Sequence, residues 1–165
     1  MLEVLDTAGQ EEYTALRDQW IKDAEGFVIV YNIYGRTSFA RCRRFYNQIR
    51  RVKETSTFSS SDLITALQGI ENDRSPIMLV GHDYIEDEEA ESRGTWERQV
   101  SWEEGNALAR ELGCEYAEAC AKTCMNVEKP FYDVVRELRK QRAAASNRPR
   151  AMPGARSRAM PAISE

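Results

Sequence analysis

"LDTAGQEEY", residues 5–13, decides how this chain is read. Asp6 closes a short apolar run, Gly9 and Gln10 follow three and four residues later, and a helical pattern runs from Glu12 to Lys22. Each residue type has a physical use at the end of a strand. A carboxylate there holds a magnesium ion, directly or through water. A glycine lets its own N–H approach a terminal phosphate with no Cβ in the way. A glutamine accepts from an attacking water and donates to developing charge.

Outward from this stretch, strands and helices alternate. Leu2, Val4 and Leu5 read as the end of a strand, and "GFVIVY" (26–31) and "PIMLVG" (76–81) are continuous apolar runs of strand length. Runs without alternation suit a parallel sheet covered on both faces. A weaker strand is expected at Glu115–Tyr116–Ala117. Phe39, Cys42, Phe45, Ile49 and Val52 recur at helical spacing over 37–52. Ser101 with Glu104 three residues on predicts a capping box opening a helix over 101–112, with Ala107, Leu108 and Leu112 as its buried stripe and Gly113 as its stop. Phe131, Val134, Val135 and Leu138 share one face of a helix over 127–142, with Pro130 in its first turn, where a missing N–H costs least. The expected class is α/β with a mainly parallel sheet flanked by helices.

The 165 residues suit one domain, with 42 % apolar and 30 % charged residues. A net charge of −4 argues against wholesale nucleic-acid binding. Cys42, Cys114, Cys120 and Cys124 show no CxxC spacing and read as reduced structural thiols of a cytoplasmic protein. No signal pattern, membrane-spanning run or C-terminal prenylation box is found. Residues 54–75, rich in Ser and Thr, read as a surface insertion with a short helix around Leu63–Leu67. Residues 83–98 carry seven acidic residues against two arginines and read as an acidic loop. Residues 143–165 read as a disordered basic tail, able at most to touch an anionic membrane weakly.

"LDTAGQEEYTALRDQW" resembles the second switch of Ras-family small GTPases. The resemblance continues through "EGFVIVYNI", "SFARCRRFYNQIRRVKE", "PIMLVG", "EACAKT" and "FYDVVRELRK", covering most of residues 1–142, and the serine-rich insertion is similar to one in a filamentous-fungal branch of Ras. The fold it implies is the P-loop NTPase-like Ras-type G domain. It implies GTP/GDP and Mg2+ as ligands, with GTP hydrolysis by the family's phosphoryl-transfer mechanism and signal switching as the activity. By this resemblance Asp6 lies near the metal. Asp6, Thr7, Ala8 and Gly9 line the nucleotide with Ala121 and Lys122, and Gln10 orients the attacking water as the catalytic residue. Glu11, Glu12 and Tyr13 belong to the surface read by exchange factors, GTPase-activating proteins or effectors. Family members sit on the inner face of the plasma membrane. The simpler account of "CAKT" alone, an ordinary strand-to-helix turn, stays open.

Two departures set the remaining expectations. No GxxxxGK[ST] spacing occurs in the 165 residues, so an incomplete domain is expected, its first strand–loop–helix portion missing. Charge-assisted hydrogen bonds contribute roughly 1.5–3 kcal/mol each, and without three of them affinity falls by about a thousandfold to a millionfold. Where the family has Asn-Lys-x-Asp after "PIMLVG", this chain has His82-Asp83-Tyr84-Ile85. The guanine-reading carboxylate falls at Ile85, which has no acceptor; Asp83 or Asp87 is the possible substitute, and His82 reads as a plain loop residue. Impaired GTP binding and hydrolysis are therefore expected. The alternatives are a nucleotide-free module that binds Ras regulators and a decayed gene fragment.

Overall fold

The computed structural model describes residues 1–7, 14–56, 75–84 and 97–146. Three parallel strands form one sheet in the order β1 (Phe27–Asn32), β2 (Ile77–His82), β3 (Glu115–Ala119). The helices are α1 (Thr14–Asp23), α2 (Arg36–Ser56), α3 (Trp102–Leu112) and α4 (Lys129–Ser146). Parallel neighbours require crossovers, and α2 and α3 supply them.

The centre of the sheet is β2, whose first five residues are all buried, with Leu79 fully inaccessible. On one face Ile29, Tyr31, Ile77 and Leu79 pack against Cys42, Ile49 and Val52 of α2 and Leu108, Ala109 and Leu112 of α3. Ile21 brings α1 onto the same core, and α1 and α2 are tied by Gln48 Nε2 donating to Asp18 Oδ1 at 2.7 Å and Lys53 Nζ to the Lys22 carbonyl at 2.8 Å. The second face is thinner. Met78, Val80, Ala117 and Ala119 are buried there, while Val28 and Val134 are only partly covered. Every apolar residue expected to face the sheet from α4 (Phe131, Val134, Val135, Leu138) is half-buried.

The capping box forms. Glu104 N–H donates to Ser101 Oγ at 3.2 Å, and Ser101 N–H to Glu104 Oε2 at 3.1 Å. Gly113, at φ 67°, closes the helix in the left-handed region, with Cys114 N–H returning to the Ala109 carbonyl at 2.9 Å. Ser101→Ala removes one of these bonds and is expected to cost about 1 kcal/mol. The check is the urea midpoint, which should fall with an unchanged slope.

Three expectations change. The strand over Leu2–Leu5 is absent: residues 1–7 have no regular structure, and Leu2, Val4 and Leu5 are exposed. A strand needs a neighbour for its N–H and C=O groups, and no described strand pairs with this segment. Leu2 and Val4 instead border a shallow hollow with Glu128, Phe131 and Tyr132 of α4 and the turn before it. The stripe on α3 is Gly105, Leu108, Ala109 and Leu112, and Ala107 points to solvent. The last helix runs to Ser146, past the boundary expected at 142. Among the described residues β1 has one strand neighbour, β2, and Val30 is 57 % exposed. Most of both insertions, the helix around Leu63–Leu67 and tail residues 147–165 lie outside the described residues.

Candidate functional site

In an open parallel sheet the natural ligand crevice lies at the carboxyl ends of the strands. Here those ends carry Asn32, which closes β1, with Ile33 and Tyr34; His82, which closes β2, with Asp83 and Tyr84; and Cys120 to Thr123 after β3.

The three ends are tied together by hydrogen bonds. Ile33 N–H donates to the His82 carbonyl at 3.1 Å, and Asp83 N–H to the Ala119 carbonyl at 2.8 Å. Asn32 Nδ2 donates to the Tyr84 carbonyl at 2.9 Å, and the Tyr34 hydroxyl to Asp83 Oδ1 at 3.0 Å. His82 and Tyr84 stack, their ring centroids 5.4 Å apart and their planes 8° from parallel. One oxygen of Asp83 is thus engaged within the protein.

After β3 the chain makes a tight loop. Cys120 N–H donates to the Met125 carbonyl at 2.9 Å and Cys124 N–H to the Ala121 carbonyl at 3.3 Å. The Thr123 side chain, its amide and the Lys122 amide all favour a negative sulfur, and together they hold the Cys120 thiol below its ordinary range. Ala121 and Lys122 are exposed, and Ala121 N–H forms no hydrogen bond among the described residues. It is a donor open to an acceptor from outside. All four cysteines are free, as expected. Burial pushes the Cys42 thiol up to about 12 and raises that of Cys114 as well.

Beneath the loop lies a polar chain that no sequence pattern announced. The Tyr31 and Tyr116 hydroxyls meet at 2.9 Å, and Tyr116 donates to Glu118 Oε1 at 2.9 Å. The single proton of Tyr116 is thereby used, so Tyr31 donates to Tyr116. Arg98 forms an ion pair with Glu118 and donates from Nε to the Val100 carbonyl at 2.7 Å. Burial pushes both tyrosines up, and at Tyr116 the Tyr31 hydroxyl and the Glu118 carboxylate add to it; both stay protonated. The hydroxyl pair fits because Gly81 and Gly105 leave room for it. Residues 85 apart in sequence give no periodic signal.

The expected site residues divide in two. Ala121 and Lys122 stand on the exposed loop after β3. Asp6 and Thr7 are exposed on the segment leading to α1 and make no hydrogen bond to that loop. Ala8, Gly9, Gln10, Glu11, Glu12 and Tyr13 lie outside the described residues. Among the described residues no helix is long and apolar enough to cross a membrane. No three metal-binding side chains cluster there either.

Comparison with known proteins matches residues 1–140 to the Ras family. The chain is 57 % identical over 155 residues to Protein ras-2 of Neurospora crassa, covering 93 % of this chain and 64 % of that protein. It is 58 % identical over 147 residues to Ras-like protein 1 of Pyricularia oryzae, covering 88 % and 58 %. To Ras-like protein B of Aspergillus fumigatus it is 56 % identical over 148 residues, covering 86 % and 59 %. An α/β chain with a parallel sheet and a donor loop at its carboxyl edge, matched over this span, belongs to the Ras family. It spans 58–64 % of the length of these three relatives.

Proposed function

We propose that this chain carries the phosphate-sensing and base-resting portions of a Ras-type guanine-nucleotide switch, and that the 165-residue polypeptide grips the nucleotide weakly. The observation that carries this is the loop after β3, buried at Cys120 and exposed from Ala121 to Thr123, with the Ala121 N–H open at the carboxyl edge of a parallel sheet. An N–H at that place suits a carbonyl acceptor such as the oxygen of a guanine ring. Lys122, exposed beside it, offers its stem and charge to the nucleotide. Family membership supports GTP/GDP as the ligand.

On this reading Asp6 would hold Mg2+, directly or through water, and Thr7, Ala8 and Gly9 would lie along the phosphates. An exposed carboxylate fits that duty, because Mg2+ commonly takes one or two carboxylates and fills its remaining positions with waters and phosphate oxygens. The metal, when bound, supplies charge neutralisation at the phosphates. Gln10 positions water for hydrolysis, and Glu11, Glu12 and Tyr13 form the surface that exchange factors, GTPase-activating proteins or effectors read.

Weak grip follows from chemistry the 165 residues do not hold. They contain no GxxxxGK[ST] nest, and Ile85 stands where the base-reading carboxylate belongs. Titration of the polypeptide with a fluorescent GDP analogue in the presence of Mg2+ tests this. Saturation is expected only above about 10 μM, roughly ten-thousandfold weaker than 1 nM binding. A midpoint from nanomolar to low micromolar would contradict it.

A further inference from the structure

Two residues of the loop after β3 stand in the left-handed region without being glycine: Cys124 at φ 58° and Asn126 at φ 54°. Such residues are uncommon and persist where the surroundings over-determine them. Asparagine tolerates this conformation far better than cysteine. Asn126 has an anchor as well: its Nδ2 donates to the Glu118 carbonyl at 2.9 Å. That bond ties the far end of the loop back to β3, one residue before Ala119 and two before Cys120. The anchor is itself fixed, since the Glu118 side chain takes the Tyr116 hydroxyl at 2.9 Å and the Arg98 guanidinium. Between the ends, the Cys120 to Met125 bond at 2.9 Å and the Cys124 to Ala121 bond at 3.3 Å define the turn that exposes the Ala121 N–H.

We propose that Asn126 is a positioning residue for the Cys120–Thr123 loop, clasping it to Glu118 so that the Ala121 N–H is held open toward the nucleotide base. The ligand half of this proposal rests on the reading of the loop given under Proposed function; the clasp itself rests on the geometry alone. Asn126 does two jobs at once, adopting the left-handed backbone and supplying the donor. The two are separable: glycine at 126 keeps the first and loses the second, and alanine loses both.

The test is amide hydrogen exchange, resolved by residue, on the full chain and its Asn126→Ala and Asn126→Gly variants. In Asn126→Ala the Cys120 and Cys124 amides should exchange about five- to tenfold faster, the effect of one hydrogen bond and its backbone conformation. Ala117 and Ala119 in β3 should keep their rates, and Asn126→Gly should fall between Asn126→Ala and the parent. Unchanged loop rates in Asn126→Ala would overturn the clasp. So would an equal rise throughout β3, which would make Asn126 a general support of the strand, or full recovery in Asn126→Gly, which would make the backbone conformation sufficient. A parallel titration of Asn126→Ala with the fluorescent GDP analogue reads the ligand half and should show weakening by a similar factor. A loosened loop with unchanged GDP affinity would leave the clasp standing and overturn the placement of the base on Ala121.

Discussion

Gly105→Ala is expected to destabilise the protein by about 2–4 kcal/mol and lower its melting temperature by roughly 5–15 °C. A Cβ on Gly105 would lie inside contact distance of both the Tyr31 and the Tyr116 hydroxyl and 2.5 Å from Tyr116 Cζ. Hydroxyls at the tips of long side chains usually move aside at small cost. These two are held by each other, by Glu118 and by the buried ring of Tyr31, which is 1 % exposed. Relief therefore requires breaking the buried bond or moving α3 off the sheet. Overpacking of this kind costs about 1–3 kcal/mol, and the lost hydrogen bond adds about 1 kcal/mol. Thermal melts of Gly105→Ala, Tyr31→Phe and the double variant check the cause. The double variant should recover part of the loss, because Tyr31→Phe removes one of the two obstructing oxygens. Strictly additive losses would mean the clash lies elsewhere.

The second large effect is on base choice. Fluorescent GDP and ADP analogues are expected to bind the 165-residue chain within about tenfold of each other, against the ~10⁴–10⁵ that a site hydrogen-bonding its ligand's polar edge can reach. Ile85 offers no acceptor to guanine N–H groups. Of the two alternatives from the sequence, Asp87 lies outside the described residues and Asp83 is tied down: its N–H is pinned to Ala119 and one oxygen takes the Tyr34 hydroxyl at 3.0 Å. The Ala121 N–H alone is a single donor and separates the bases weakly. Competition titrations with unlabelled GDP and ADP read the ratio directly. A guanine preference above a thousandfold would show that another acceptor reads the base.

Much of this architecture was legible in the sequence where the signal is local. "GFVIVY" and "PIMLVG" became adjacent parallel strands, the second buried over its first five residues and the first at Ile29 and Tyr31. Ser101 and Glu104 announced their helix through a reciprocal pair of bonds three residues apart. Signals that depend on a distant partner were not legible. "LEVL" is a good strand pattern, but a strand exists only against a neighbour, and this segment remains irregular and exposed. On α3, Ala107 and Ala109 are chemically alike, and only the placement of the helix on Tyr31 and Tyr116 decides that Ala109 faces inward. The Tyr31–Tyr116–Glu118–Arg98 chain joins β1, β3 and the segment before α3, so no window of sequence contains it. For the candidate site, the resemblance singled out Ala121 and Lys122, while the bond from Asn126 Nδ2 to the Glu118 carbonyl has no sequence signal.

The place where a nucleotide touches this chain is the most direct test. Amide chemical-shift mapping of the isotope-labelled polypeptide, titrated with millimolar GDP and Mg2+, reads that contact even at weak affinity. The largest shifts are predicted at Gly9, Ala121 and Lys122, growing smoothly with nucleotide and absent with Mg2+ alone at Ala121 and Lys122. Unmoved Ala121 and Lys122 amides beside large shifts elsewhere on the sheet would contradict it.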